Sequence, residues 1–498
     1  MLESLTAALD QFNGRLYTYV LVVLLIGVGL LLTVLTRGVQ VRHFAEMIRY
    51  SLGSRRGAEG GISSFQAFAI GMATRIGIGN ITGVALALVL GGPGAIFWMW
   101  VVAAVGMATS FAEATLAQVF KVRWSDGTFR GGPAYYLTRG LRSRAWGVLF
   151  AVLLIFAMVI AMPMVQANTI AVALEAGHGV PTWVTGLVLM VLVGLVVFAG
   201  VRGVARAAEL LTPLMALVYI GIALVIIALN IQAVPGYLSD IVAGAFGLRE
   251  GLAGLGGGVV AAMLNGAQRG LFTNEAGMGT NPNAAATATV RHPVQQGLIQ
   301  SLGVFVDSVL ICTATAFIIL SAGAPLYVPG QTQRQAAGDL TTQAVTAQLG
   351  GAMVWPMTIM IFFFGFSSIL GAFAYAQVNA DFLRGRHGRV HLLATCAVIT
   401  TGIGSVLALH TVWVFMDTAM ALITIVNLIG LIVLSRWVAG VLRDYETQRR
   451  QGVREPTFDG DDNPHLPGQL ESDVWNARGL THGGSPHGGS APVDPRLH

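Results

Sequence analysis

The chain has 498 residues, 54% of them hydrophobic and only 11% charged, with a mean hydropathy of +0.69 and a formal net charge of +5. Soluble proteins carry about 25% charged residues, so this balance excludes an ordinary water-soluble domain and makes the lipid bilayer the first expected partner.

A helix needs roughly 17 to 25 apolar residues to cross about 30 Å of hydrocarbon. Such runs occur eleven times, near residues 16–36, 63–90, 94–119, 146–172, 182–199, 208–229, 255–289, 297–321, 353–378, 391–409 and 412–437. The first follows Glu3 and Asp10 and has no small-residue cleavage site behind it, so it reads as a retained helix and not a signal peptide. Cys312 and Cys396 both fall inside apolar runs, which gives no support to a disulfide framework, a metal cluster or redox chemistry. No cofactor is expected.

Lys and Arg gather in cytoplasmic loops. The loops after the first, third, fifth, seventh and ninth runs carry Arg37, Arg42, Arg49, Arg55 and Arg56; Lys121, Arg123, Arg130, Arg139, Arg142 and Arg144; Arg202 and Arg206; Arg291; and Arg384, Arg386 and Arg389. The tail adds Arg436, Arg443, Arg449, Arg450 and Arg454, whereas the opposite side holds only Arg15, Arg249 and Arg334. This pattern places the amino terminus outside and the carboxyl tail in the cytoplasm of a multi-pass protein of the cell (inner) membrane. The excess positive charge is largely this topological signal, which argues against nucleic acid as a partner. Beyond about residue 445, charged residues, Pro and Gly rise and the apolar period vanishes, so 446–498 reads as a disordered cytoplasmic tail. His482 and His487 lie in its Gly/Ser-rich part, where metal binding is the less favoured reading.

Two of the runs are interrupted. The second contains "ATRIGIGNITGVA", with Gly77, Gly79 and Gly83 around Asn80 and Thr82; the seventh contains "GLFTNEAGMGTNP". Non-helical backbone at membrane depth is tolerated only where protein or a water-filled cavity surrounds it. The segments also correspond: Ala73, Thr74, Arg75, a glycine pair and Asn80 match Ala267, Gln268, Arg269, Gly270 and Asn274. They are five crossings apart, an odd number, so two equivalent five-helix units would cross in opposite senses, as in inverted-repeat transporters. Repeat one then spans about 63–230 and repeat two about 255–437 of a transmembrane domain at 1–445, with the helix at 16–36 outside both. A half-helix amino end suits a carboxylate, and unwound carbonyls or a helix carboxyl end suit an ammonium or Na⁺. A zwitterionic amino acid fits both. Close packing through small residues is the competing account, and two matched breaks with Asn, Thr and Glu weigh against it.

Four stretches, "GIGNITGVALALVLGGPGAIFWMW", "RGLFTNEAGMGTNPNAAATA", "FVDSVLICTATAFIIL" and "FFFGFSSILGAF", resemble the alanine or glycine:cation symporters, also called the sodium:alanine symporter family. The resemblance covers roughly residues 12–445. It implies an all-α polytopic amino acid:sodium symporter-like fold with a ten-helix inverted-repeat core, Na⁺ or H⁺ coupling, and a small neutral amino acid such as alanine or glycine as cargo. It further implies substrate and ion contacts from Thr74, Gly77, Gly79 and Asn80 in the first break. The second break would supply Asn274, Glu275, Ala276, Gly277 and Met278, with Phe272 as an apolar wall. Na⁺ candidates are Gly77, Asn80, Ser367 and Ser368; oxygen-rich coordination suits a hard cation. For each serine the alternative is a hydroxyl bonded one turn back in its own helix. Gln166 and Asn168 face the same cavity or bond between helices.

Intramembrane charges mark pathways or paired contacts. The set is Arg75, Glu113, Arg269, Glu275, Asp307 and Asp417. Arg269 on an outer half-helix and Asp417 at the outer start of the last helix are positioned for an extracellular gate or a static pair. Arg75 balances Glu275 or a substrate carboxylate. Glu113 and Asp307 read as nearer the cytoplasmic half, satisfied within the bundle. The chain also departs from the family pattern. After "FGFSSILG" the family commonly has Trp or Asn and then a Tyr-Tyr-Gly-Glu run, where this chain has Ala372, Phe373, Ala374, Tyr375, Ala376 and Gln377. The smaller Ala372 implies a larger pocket, and Gln377 removes a carboxylate. Val426 replaces a common proline before Asn427, which implies altered flexibility of the last helix.

An enzyme would need a nucleophile with its base, or a metal set such as HExxH, and His391 and His410 stand apart from any such pattern. An ion channel also builds filters from broken helices, but usually around several subunits. An amino acid sensor on the same fold is a third reading. Uptake separates them: saturable and cation-driven, conductive, or absent.

Overall fold

In hydrocarbon a chain must satisfy its own peptide groups, so each apolar run folds as a helix. The computed structural model describes residues 2–53, 62–124, 127–198, 201–248, 255–385, 390–461 and 463–476. Arg55, Arg56, Arg249, Arg386, Arg389, His482 and His487 lie outside the described residues. Six long apolar helices, Glu3–Leu35, Gly94–Val119, Arg144–His178, Pro293–Ala322, Gly351–Arg384 and Leu409–Arg450, form the first, third, fourth, eighth, ninth and eleventh crossings. The second is the bent pair Ser64–Arg75 and Ile78–Gly91. The fifth and tenth are the shorter apolar helices Thr182–Val197 and His391–Val406. Leu214–Leu229 forms the sixth, and the seventh is Leu255–Asn274 with the short helix Pro282–Ala285 beyond its break.

Crossings two to six and seven to eleven are the inverted five-helix repeats, and their broken members meet in the middle. The seventh crossing packs along the second and third, the eighth along the third, and the fourth between the ninth and tenth. The start of the second crossing is set locally: Ser63 Oγ accepts from the Gln66 N–H at 3.1 Å and Gln66 Oε1 from the Ser63 N–H at 3.0 Å, a reciprocal cap.

Three departures from the expected elements have physical causes. The first helix begins at Leu2, well before 16, because its first turns lie against the eleventh crossing, where Asn13 Nδ2 donates to the Val414 carbonyl at 3.0 Å. The sixth crossing turns by 79° after Leu229 into Ile231–Ala245; Asn230 caps the bend, its Nδ2 donating to the Ile226 carbonyl at 2.9 Å. Past its break the seventh crossing keeps only the short helix Pro282–Ala285, in place of helix to 289. Side chains of the third crossing's end take over its carbonyls there: Gln118 Nε2 donates to Ala285 at 2.5 Å and Ala288 at 3.1 Å, and Lys121 Nζ to Ala288 at 3.0 Å.

The tail is a correction. Residues 451–461 and 463–476 are ordered against the arginine-rich face, so the tail is not disordered from 446. Phe458 and Trp475 are buried, their rings 5.4 Å apart, and Trp475 Nε1 donates to the Gln118 carbonyl at 2.8 Å. The two buried aromatic rings, with the indole N–H finding a partner, anchor a segment whose average composition is polar.

On the same face His43 bridges two carboxylates, Nδ1 to Glu46 at 2.8 Å and Nε2 to Glu446 at 3.3 Å, with Arg42, Arg449 and Tyr445 around them. Burial opposes a charged imidazole, but the hydrogen bonds from Glu46 and Glu446 outweigh it and raise the His43 pKa above 6.5. The bond to His43 lowers Glu46 below 4.5. The raised histidine stabilises the fold fully below 6.5 and loses that contribution as pH rises through its folded value; the lowered carboxylate stabilises above 4.5 and fails as pH falls through its own. His43→Gln is therefore expected to lower the melting temperature most between pH 4.5 and 6.5 and least in alkali, by less than about 1 kcal/mol because the pair is partly solvated. A pH-independent difference in melting scans would reject the charge bridge.

Candidate functional site

At the first break the helix stops at Arg75, passes through an extended Gly77 and restarts as a short 3-10 turn, Ile78–Asn80. Asn80 Oδ1 accepts from the Gly77 N–H at 3.1 Å, so the asparagine replaces a lost helical partner. Its Nδ2 donates to Asp307 Oδ1 at 2.5 Å. Ser368 Oγ donates to the Ala73 carbonyl at 2.9 Å, and a Cβ on residue 77 would collide with that hydroxyl, so glycine is what lets the ninth crossing approach. The Ser367 hydroxyl instead turns back to the Phe364 carbonyl at 3.1 Å, the local alternative. Gly79 lies under the Phe272 ring, with 2.7 Å from its ideal Cβ to the ring.

The second break is built differently. Glu275, Gly277 and Gly279 have φ of 55°, 90° and 75°, so left-handed residues alternate along it. That conformation turns successive N–H groups inward into a concave anion nest. The protein fills it with its own carboxylate: Gly277 N–H donates to Glu113 Oε1 and Gly279 N–H to Glu113 Oε2, both at 3.2 Å. Asn427 Nδ2 donates to Glu113 Oε2 at 2.9 Å and to the Gly277 carbonyl at 2.8 Å, and Tyr136 donates its hydroxyl to Asn427 Oδ1. Asn274 Oδ1 accepts from the Ala276 N–H at 2.9 Å, the counterpart of Asn80 in the other repeat.

The breaks touch through Glu275. Its Oε2 accepts from Thr280 Oγ1 at 2.7 Å and Thr74 Oγ1 at 3.3 Å, and Thr74 is also 2.9 Å from the Tyr375 hydroxyl. Glu275 Oε1 is buried with no hydrogen-bond partner among the described residues. Thr74, Arg75, Asn80, Phe272, Asn274, Glu275, Ala276 and Met278 are all buried where the two breaks meet. No group of three or more His, Cys, Asp or Glu side chains able to hold a metal ion occurs among the described residues.

The remaining intramembrane charges are held by polar contacts. Arg75 Nη1 donates to the Gln300 carbonyl and Nη2 to Ser110 Oγ, both at 3.0 Å. Glu113 and Asp307 are satisfied within the bundle, each by binding a break. Asp307 reaches it because the eighth crossing widens into a π-helical stretch at Phe305–Ile311. Their relation is reciprocal. Glu113, on the second helix of repeat one, holds the break of repeat two, and Asp307, on the second helix of repeat two, holds the break of repeat one.

Arg269 and Asp417 do pair: Nη2 donates to both carboxylate oxygens, at 2.7 and 2.6 Å, with both side chains about 5% exposed or less. Arg269 also lies 4.6 Å from the Trp413 ring, which packs 4.7 Å from Phe272 and so links the ion pair to the wall of the first break. Asn168 takes the interhelix reading, donating to the Gly404 and Leu407 carbonyls at 3.1 and 2.6 Å; Gln166 Nε2 donates to Met162 Sδ within its own helix at 3.3 Å. The contributions of Asn427, Tyr375 and Tyr136 were not anticipated. For Asn427 and Tyr375 the sequence signal was a polar side chain in an apolar run; Tyr136 lies between the third and fourth runs, where no such signal marked it.

A family model described as the sodium:alanine symporter family matches residues 2–460. The chain is 43% identical over 453 residues to the amino-acid carrier protein AlsT of Bacillus subtilis, covering 91% of this chain and 94% of that one. It is 42% identical to a probable sodium/glutamine symporter, GlnT, of the same organism, with 90% and 91% covered. To the sodium/alanine symporter AgcS of Methanococcus maripaludis it is 37% identical, with 89% and 98% covered. Among solved structures, MhsT in complex with L-phenylalanine superposes with a TM-score of 0.54 at 15% identity, over 78% of this chain and 89% of that one. That likeness bears on the fold alone.

Proposed function

Because the chain belongs to the sodium:alanine symporter family, we propose that this Na⁺-coupled amino acid symporter imports a small neutral amino acid, alanine or glycine, by alternating access. The observation that carries the site assignment is Glu275 Oε1, a buried acceptor without a donor between the two breaks. An unpaired buried carboxylate oxygen is costly, and a substrate ammonium group satisfies it. The substrate carboxylate is assigned to the first break near Gly79, since the N–H groups of Gly277 and Gly279 already hold Glu113 and that of Gly77 donates to Asn80 Oδ1. Phe272 and Met278 wall the side-chain space. Na⁺ is assigned to the carbonyl-rich end of Ser64–Arg75 with Gly77, Asn80 and Ser368, Ser367 lying one residue away.

The basic loops support an amino terminus outside and a tail inside. One positive charge moving inward through 100 mV gives about 2.3 kcal/mol, roughly fiftyfold accumulation before any Na⁺ gradient is added. The test is uptake of radiolabelled alanine, glycine and glutamine into proteoliposomes under an inward Na⁺ gradient, an inward proton gradient, or neither. Saturable alanine or glycine uptake driven by Na⁺ is expected, and Ser368→Ala is expected to raise the Na⁺ concentration for half-maximal uptake about tenfold, the loss of one oxygen contact to an ion. Glutamine-selective uptake would overturn the substrate size, proton-driven uptake the coupling ion, and conductance without saturation the mechanism.

A further inference from the structure

The tail segment is attached to the part of the seventh crossing just beyond its break. The indole of Trp475 donates to the Gln118 carbonyl at 2.8 Å and lies 4.8 Å from Lys121 Nζ. Gln118 and Lys121 are the two side chains that hold the Ala285 and Ala288 carbonyls just beyond the second break. Phe458, fully buried, packs its ring 5.3 Å from His292, and its N–H donates to the Arg291 carbonyl at 2.9 Å. Gly460 N–H closes the loop on the Trp475 carbonyl at 2.6 Å, and the Arg123 N–H donates to Asp473 Oδ2 at 3.4 Å. The tail thus grips both sides of one joint: the end of the third crossing, in repeat one, and residues 285–292, in repeat two.

We propose that the tail segment carrying Phe458 and Trp475 forms a latch that holds the inner gate closed, with Trp475 as its bolt. Opening toward the tail side separates Gln118 and Lys121 from the Ala285 and Ala288 carbonyls. While Trp475 is seated, both residues are pinned from behind, so the latch has to leave before the joint opens. The inference rests on the alternating-access reading only for its consequence in transport; the latch itself concerns an opening that needs no substrate.

The test measures that opening directly. Thr287 is buried between the two carbonyls and close in size to cysteine. Thr287→Cys in the full chain, with the partly exposed Cys396 replaced by alanine, gives one reporter thiol beside the buried Cys312, whose background is read in the same protein without Thr287→Cys. The reporter's rate of labelling by a small maleimide is then compared with and without Trp475→Ala, and with the exposed control Asp461→Asn. The latch predicts labelling about tenfold faster with Trp475→Ala, the effect of losing about one hydrogen bond with its ring packing, an intermediate rate with Trp475→Phe and no change with Asp461→Asn. Equal rates in all variants, or equal acceleration by Asp461→Asn, would overturn it. Faster labelling in a protein that takes up no amino acid would leave the latch standing and remove the transport reading; unchanged labelling in an active transporter would do the reverse.

Discussion

Glu113→Gln is expected to cut Na⁺-driven uptake at least about a hundredfold in protein that still inserts and elutes as a folded species, because it removes an acceptor from a buried site built of donors. Both oxygens of Glu113 receive backbone N–H groups, from Gly277 and Gly279, and Oε2 also receives Asn427. A glutamine keeps the shape but points an amide N–H₂ at an N–H, whichever way it turns. Each orphaned donor costs about 1–3 kcal/mol in a buried site. The left-handed Gly277 and Gly279 direct their N–H groups to Glu113 and not to helical carbonyls, so the cost emerges as a changed backbone at the break. Asn427→Ala removes only one contact to the carboxylate and one to the Gly277 carbonyl, and about a tenfold loss is expected. Initial uptake per folded protein, measured alongside substrate binding, separates the cases. Glu113→Gln retaining more than half the uptake would show that the nest is scaffolding unconnected with transport.

The residues that broke a rule were the ones legible in the sequence. Glycines, Asn80 and Asn274 inside apolar runs violate helical propensity and hydropathy together, and the structure uses both asparagines to cap the breaks. Arg269 and Asp417 were legible as a pair because two charges in lipid must meet something. Partners that depend on helix rotation were not legible. Nothing in the spacing says that Glu113 faces residue 277, that Arg75 turns toward Gln300 and Ser110, or that Ser368 and not Ser367 reaches the first break. The π-helical stretch at Phe305–Ile311 shifts the phase of the eighth crossing, and no composition rule marks it. The tail was misread for a related reason: burial of Phe458 and Trp475 depends on surfaces more than 150 positions away in sequence, invisible to a window average.

The ion pair of Arg269 and Asp417 gives the second large effect, and the useful variants are double ones. Asp417→Asn leaves a buried guanidinium facing a neutral amide, a loss of about 3–5 kcal/mol when one partner of a buried pair is removed, and uptake is expected to vanish. That result alone does not distinguish a gate from a strut. Replacing both charges does, because a buried ion pair exchanged for apolar side chains of similar volume is often neutral or stabilising. Arg269→Met with Asp417→Leu is expected to melt at or above the wild-type temperature. If the pair must part and re-form in every cycle, the same variant transports poorly, since an apolar contact gives up no hydration-driven release. A charge swap, Arg269→Asp with Asp417→Arg, restores the pair in reverse and is expected to recover part of the uptake lost in each single variant. Recovery is incomplete because the guanidinium leaves its position 4.6 Å from Trp413. Wild-type transport by the apolar double variant would make the pair a static strut. The link from Trp413 to Phe272 would then be packing, and the outer gate would have to be sought among other residues of the seventh and eleventh crossings.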